Sequence, residues 1–115
     1  MKLINKTNGQ VLADKLEIAN TPFRRMKGLL GREKLEDGEG LHIIPCNNIH
    51  SFFMKFVFDA IFIDKKNKIR HLVEKMPPGR VSRLCFTAHS VVELPPGTIC
   101  STGSKIGDEL EFVNQ

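Results

Sequence analysis

The stretch from Pro45 to Asp64, PCNNIHSFFMKFVFDAIFID, constrains this chain more than any other, because it sets Cys46, His50, Met54 and Asp59 into a run otherwise suited to a protein core. Read as extended chain, the alternation of a strand puts Cys46, His50, Phe52, Met54, Phe56, Phe58, Ala60 and Phe62 on one face. Ser51, Phe53, Lys55, Val57, Asp59, Ile61 and Ile63 fall on the other. A run of this length exceeds the usual strand of about 3–10 residues, so it must divide. The bend is placed near Met54–Val57, with one strand from about Ile49 and a second over Phe58–Asp64. Such a bend would gather imidazole, thioether and carboxylate around a shared hollow.

The flanking segments read as short strands and turns. Lys2–Asn5 and Gln10–Ile18 enclose Thr7-Asn8-Gly9, and Asn-Gly between partly apolar runs is a strong hairpin signal. Thr21 is placed to cap a helix with Pro22 at its first position, and Phe23, Met26, Leu29 and Leu30 follow at helical spacing up to Gly31. The polar turn from Glu36 to Gly40 leads into a strand over Leu41–Ile44, which Pro45 ends. A charged turn at Lys65–Lys68 joins Phe58–Asp64 to Ile69–Val73 as a second hairpin. A loop opens at Met76-Pro77-Pro78-Gly79, and Ser90–Leu94 and Glu109–Val113 close the fold around Pro95-Pro96-Gly97 and a small-residue segment. Many short strands, frequent Gly and Pro turns and one short helix amount to a mostly β, antiparallel sandwich or barrel, organised as a single domain over residues 1–115.

Composition limits the function classes. No apolar run approaches the roughly 18 residues of a membrane span, and the N-terminal MKLINKTNGQ has no apolar signal segment, so the expectation is a cytoplasmic protein. Cys46, Cys85 and Cys100 make an odd set without a C-x-x-C pair, as expected of reduced thiols. The net charge of +4 arises from 17 basic and 13 acidic residues, an excess that assists an acidic ligand without specifying one. The eight phenylalanines have no Tyr or Trp beside them, which leaves few base-stacking platforms. The basic clusters Arg24–Lys34 and Lys65–Arg70 are diluted by acids and read as solvated surface, not as a nucleic-acid interface.

Several blocks in order carry a family resemblance: Arg25-Met26-Lys27-Gly28-Leu29-Leu30-Gly31-Arg32, then Gly38-Glu39-Gly40-Leu41, then Ile49 to Phe56 with Asp59 and Ile61 to Asp64. Cys85 with Ala88, Val92 to Gly97 and Gly107-Asp108 complete the set. Over nearly its whole length the chain resembles the bacterial and archaeal proteins grouped as domain of unknown function 192. The resemblance implies a compact, mostly β fold of the jelly-roll kind, and it implies no established reaction, cofactor or partner. Val57 departs from the family, which usually has proline there.

Three chemistries compete for the polar residues. Cys46/His50 and Cys85/His89 form two C-x-x-x-H pairs, but residues four apart on a strand are about 13 Å apart at roughly 3.3 Å per residue. Zinc holds its ligands at about 2.0–2.3 Å, so no metal or other cofactor is expected. Thiol catalysis would need His50 and Asp59 on one side, and their odd separation sets them on opposite faces of an unbroken strand. The best reading is a small-molecule-binding or accessory β-domain with a site at His50, Met54, Lys55 and Asp59, joined by Arg32 from the end of the helix. Lys55 and Arg32 would favour a small anionic or oxygen-rich ligand. The alternatives are a small enzyme using Cys–His or acid–base chemistry, and a structural or interaction module offering a sheet edge to a partner.

Overall fold

In a computed structural model describing residues 1–115, the chain forms two open sheets rather than a closed barrel. The strands are β1 (Lys2–Asn5), β2 (Val11–Ala13), β3 (Lys15–Ala19), β4 (Glu39–Ile43), β5 (Phe58–Ile63), β6 (Ile69–Met76), β7 (Ser90–Leu94) and β8 (Leu110–Val113). Two short helices, α1 (Pro22–Lys27) and α2 (Thr98–Thr102), complete the set, one more than the sequence suggested. The smaller sheet runs β2-β1-β8 and the larger β3-β4-β7-β5-β6. All pairings are antiparallel except β3 with β4, which run parallel. No helix is long and apolar enough to cross a membrane.

The expected strand over Gln10–Ile18 is two strands, because the chain passes from one sheet to the other at Asp14. There the amides of Asp14 and Lys15 both donate to the Gly38 carbonyl, at 2.9 Å each. Gly40 lets the side chains of the two neighbouring strands, Leu16 of β3 and Leu94 of β7, close over β4. A Cβ on it would lie 2.8 Å from Leu94 Cδ2 and 3.0 Å from Leu16 Cδ1, nearer than packed side chains tolerate.

The larger sheet divides the interior into two cores. Between the sheets, Leu3, Leu16, Ile61, Ile63, Val92 and Leu94 pack together. On the opposite face, Leu41, Ile43, Phe58, Ala60, Phe62 and Val91 pack under Leu29, Ile49 and Cys85. The period-two reading thus holds along β5: Phe58, Ala60 and Phe62 enter the outer core, while Ile61 and Ile63 enter the core between the sheets. All six residues of β5 are buried, as expected of a strand covered on both faces.

Upstream of Phe58 the strand reading fails. Residues 44–57 are irregular, with one isolated bridge from His50 to Val81, and the chain turns at 51–54, where the Met54 amide donates to the Ser51 carbonyl at 3.2 Å. Phe53 adopts a left-handed φ of 65°. The turn falls three residues before the expected bend because buried Ser51 is held from the far loop. Its hydroxyl donates to the Pro77 carbonyl at 2.5 Å and accepts the Arg80 amide at 2.9 Å. Further rungs join the two loops: Ser82 N to Ile49 O at 2.8 Å, Cys85 N to Asn47 O at 2.9 Å, and Cys46 N to His89 O at 2.9 Å. Segments 44–57 and 77–89 therefore form one laced cover over the outer face of the larger sheet.

Helix α1 starts where the sequence placed it, with Thr21 Oγ1 accepting the Arg24 amide at 3.1 Å and Pro22 in the first turn. It ends at Gly28, before Gly31, because Gly28 takes a φ of 48° and donates its amide back to the Arg24 carbonyl. The apolar spacing does not bury the helix: Phe23 and Met26 are 74% and 77% exposed, and only Leu29, beyond the last turn, is in the core.

Candidate functional site

A concavity of about 680 Å³ lies between α1, the loop from Ile43 to Met54 and the end of β7. Its volume falls in the roughly 300–1,000 Å³ range of small-molecule sites. Leu29, Ile43, Ile49 and Met54 supply apolar wall, and Arg25, Cys46, His50, His89 and Glu93 supply polar groups.

Glu93 decides the character of this cavity. On β7 it is flanked across the sheet by Leu41 and Ala60, and its side chain shares their outer face with Val91 and Ile43. It is 5% exposed, and its carboxyl, which reaches the cavity surface, makes no hydrogen bond or ion pair with any other side chain or backbone group of the protein. Burial pushes this acid up to about 8, so at neutral pH it is mostly a neutral carboxylic acid able to donate a proton. Across the cavity, Arg25 has a buried Nε with no partner, and only one terminal nitrogen reaches a carbonyl, that of Pro45, at 3.4 Å.

Cys46 lies within electrostatic reach of both groups. Burial pushes its thiol up, against the opposing pull of the Asn48 backbone hydrogen bond; Glu93 then raises it and Arg25 lowers it by less. Its S–H donates to the Asn48 carbonyl at 3.0 Å. A protonated thiol committed to a carbonyl is a poor nucleophile, and no cysteine is hydrogen-bonded to a histidine: the Cys85 sulfur instead meets Thr87 Oγ1 at 3.5 Å. No three His, Cys, Asp or Glu side chains are gathered where they could hold one metal ion.

The residues singled out from sequence are dispersed. His50 and Met54 do line the cavity, with the exposed His50 ring stacked 5.2 Å from Phe52. Lys55 sits next to Met54 but projects outward, its Nζ 3.0 Å from Glu33 Oε1. Arg32 pairs with Glu17 and lines a second, smaller concavity on the other side of α1 with Arg24 and Lys27. Asp59 faces the opposite side of the larger sheet and is fully buried. One of its oxygens accepts the Lys75 amide at 2.8 Å and the other the Ile99 amide at 2.9 Å. Its carboxylate thus joins β6 to α2 and does not face the cavity.

Glu93 and Arg25 lie within the blocks that carry the family resemblance, but neither is marked by sequence as a site residue. The available signal was an acid inside the apolar run Ser90-Val91-Val92-Glu93-Leu94, which alternation alone would place in a core.

A family model described as "Uncharacterized ACR", that of domain of unknown function 192, matches residues 3–112. The chain belongs to the domain of unknown function 192 family. Members named UPF0127 share its sequence: one from Thermococcus sibiricus is 32% identical over 115 residues, 96% of this chain and 73% of that protein. A crystal structure of a protein of unknown function from Novosphingobium aromaticivorans superposes with a TM-score of 0.83 at 21% identity, covering 96% of this chain and 82% of that one. A Sinorhizobium meliloti protein, named as a proposed transcription regulator, superposes with a TM-score of 0.78 at 26% identity over 96% and 89% of the two chains. The family has no activity attached to its name, so the reading of function rests on the cavity itself.

Proposed function

We propose that this family member is a small-molecule-binding domain whose ligand enters the cavity between α1 and the outer face of the larger sheet. The observation that carries this reading is Glu93, a buried acid without a protein partner in the wall of a concavity. No protein group satisfies this carboxyl, so a ligand in the cavity is free to supply its hydrogen-bond partner. His50 and Met54 contribute the mouth and an adaptable apolar wall, while Arg25 favours an anionic or oxygen-rich ligand.

The test is a fragment and metabolite screen by amide chemical shifts on labelled protein. Binders should move the amides around Arg25, Cys46, His50 and Glu93 and raise the melting temperature, because a ligand bound to the native state stabilises it. Binders that move only residues remote from this wall would overturn the reading.

One feature of the same carboxyl favours a second reading, an acid–base enzyme. A group poised near 8 has the proton affinity suited to a general acid or base at physiological pH. Turnover of a bound compound, lost in Glu93→Gln while binding persists, would select the enzyme over the binding domain.

A further inference from the structure

The polar pair in the wall and the apolar surface beside it narrow the ligand class. Two cationic side chains, Arg25 and Lys27, line the cavity, and Glu93 is its single acidic side chain. With Glu93 protonated, the wall carries net positive charge and presents one O–H donor and the Arg25 guanidinium, whose unpartnered Nε is itself buried. Both are donors, and a donor pair is satisfied by an acceptor-only group such as a carboxylate. Beside them Leu29, Ile43, Ile49 and Met54 offer surface that a hydrocarbon would cover, at about 25 cal/mol per Å² removed from water.

We infer that the cavity takes an organic acid with an apolar body, its carboxylate held between the Arg25 guanidinium and the Glu93 carboxyl and its hydrocarbon part against Leu29, Ile49 and Met54. This rests on the binding-domain reading above and names its ligand. The O–H of Glu93 donates to one carboxylate oxygen of the ligand, an acid–carboxylate contact in which two acids share one proton. Such a bond is short and strong, and it exists only while that proton is present, since two ionised carboxylates in contact repel.

The titratable groups facing Glu93 are few. Strands β4 and β5 present apolar side chains on this face, α1 contributes Arg25 and Lys27, and the covering loops contribute Cys46, His50 and His89. Affinity is therefore full at neutral pH and falls as Glu93 ionises, tending to tenfold per pH unit above the value of about 8 at which it titrates.

The experiment titrates labelled protein with hexanoate and with hexanamide, its neutral counterpart, between neutral pH and about pH 9.5, following amide shifts. Hexanoate should bind at neutral pH at least tenfold more tightly than hexanamide and lose affinity above pH 8. Glu93→Gln keeps a donor that cannot ionise, so this variant should bind hexanoate within a few-fold of the parent at neutral pH and show no alkaline loss. Arg25→Gln should weaken hexanoate tenfold or more at every pH and hexanamide by much less, because the charge it removes acts on the carboxylate alone. Hexanamide binding equal to that of hexanoate, or an alkaline loss surviving in Glu93→Gln, would overturn the ligand class and leave the cavity reading standing. Silence of the cavity amides toward both compounds would overturn the two together.

Discussion

At the scale of single residues, two buried titratable groups pull the stability of this protein in opposite directions with pH. His42, on the inner side of the larger sheet, contacts Ser90 Oγ through Nε2 at 2.8 Å and stacks on Phe112 at 4.5 Å. Burial, aided by His89, pushes it down to about 4 from an ordinary 6.5. The unfolded chain takes the proton first, so this contribution is present in full above pH 6.5 and lost as pH falls toward 4, on the order of 3 kcal/mol. Glu93 works the other way. Held up to about 8 against an ordinary 4.5, it keeps a proton that the unfolded chain releases, so its contribution is present below pH 4.5 and lost as pH rises toward 8. The span corresponds to about 4–5 kcal/mol as an upper bound. Urea unfolding should accordingly show a maximum between these limits. Glu93→Gln should match the parent near pH 4.5 and exceed it by several kcal/mol near pH 8. A variant no more stable than the parent at pH 8 would show that Glu93 is not held in the fold as a buried, protonated acid. A native residue whose isosteric replacement stabilises the fold is what a binding site held at the expense of stability looks like.

Among the elements, the segment carrying most sequence-level interest splits into parts with different duties. Asp59 is a joint: its carboxylate satisfies the Lys75 amide at the left-handed end of β6, where φ is 51°, and the Ile99 amide in the first turn of α2. Asp59→Ala leaves both donors unpaired in a dry interior and should cost about 2–4 kcal/mol, with Asp59→Asn, which keeps one acceptor oxygen, costing about half. Denaturant midpoints measure both, and because the site lies across the sheet from the cavity, ligand shifts at Cys46 and Glu93 should persist in whichever variant remains folded. An Asp59→Ala protein as stable as the parent would refute the joint. Helix α1 is the opposite kind of element, anchored by the Thr21 cap and by Leu29 beyond its end while its own six residues bury none. That is why its spacing misled: Phe23 and Met26 recur at helical intervals, but the helix lies across the cavity mouth rather than on the sheet.

Across the whole molecule, the larger sheet is a partition with a packed core on each side, and the cavity occurs where a loop cover, not a second sheet, closes the outer side. The cysteines report on the same arrangement: Cys100 is exposed on α2, Cys46 is half-buried in the cavity wall and Cys85 is buried beneath the cover. Native protein at neutral pH should therefore show one fast thiol toward an aromatic disulfide reagent and three after denaturation. Cys46 reacting as fast as Cys100 would mean a thiolate in the cavity and would restore the thiol-enzyme alternative. Much of this architecture is legible in the sequence, because turn residues and two-residue alternation act between neighbours along the chain. Asn8-Gly9, Thr21-Pro22, Pro45 and the alternation of Phe58–Ile63 each mark their element within a residue or two. The parallel pairing of β3 with β4, the turn at Ser51 and the second helix are not legible there, since each depends on bonds to distant segments such as Gly38, Pro77 and Asp59. The site divides the same way: His50 and Met54 announced themselves as polar and soft groups in an apolar run. Glu93 acquires its character only from the fold, because whether a carboxyl is buried and unpartnered is decided by which strands flank it and what the covering loops leave open.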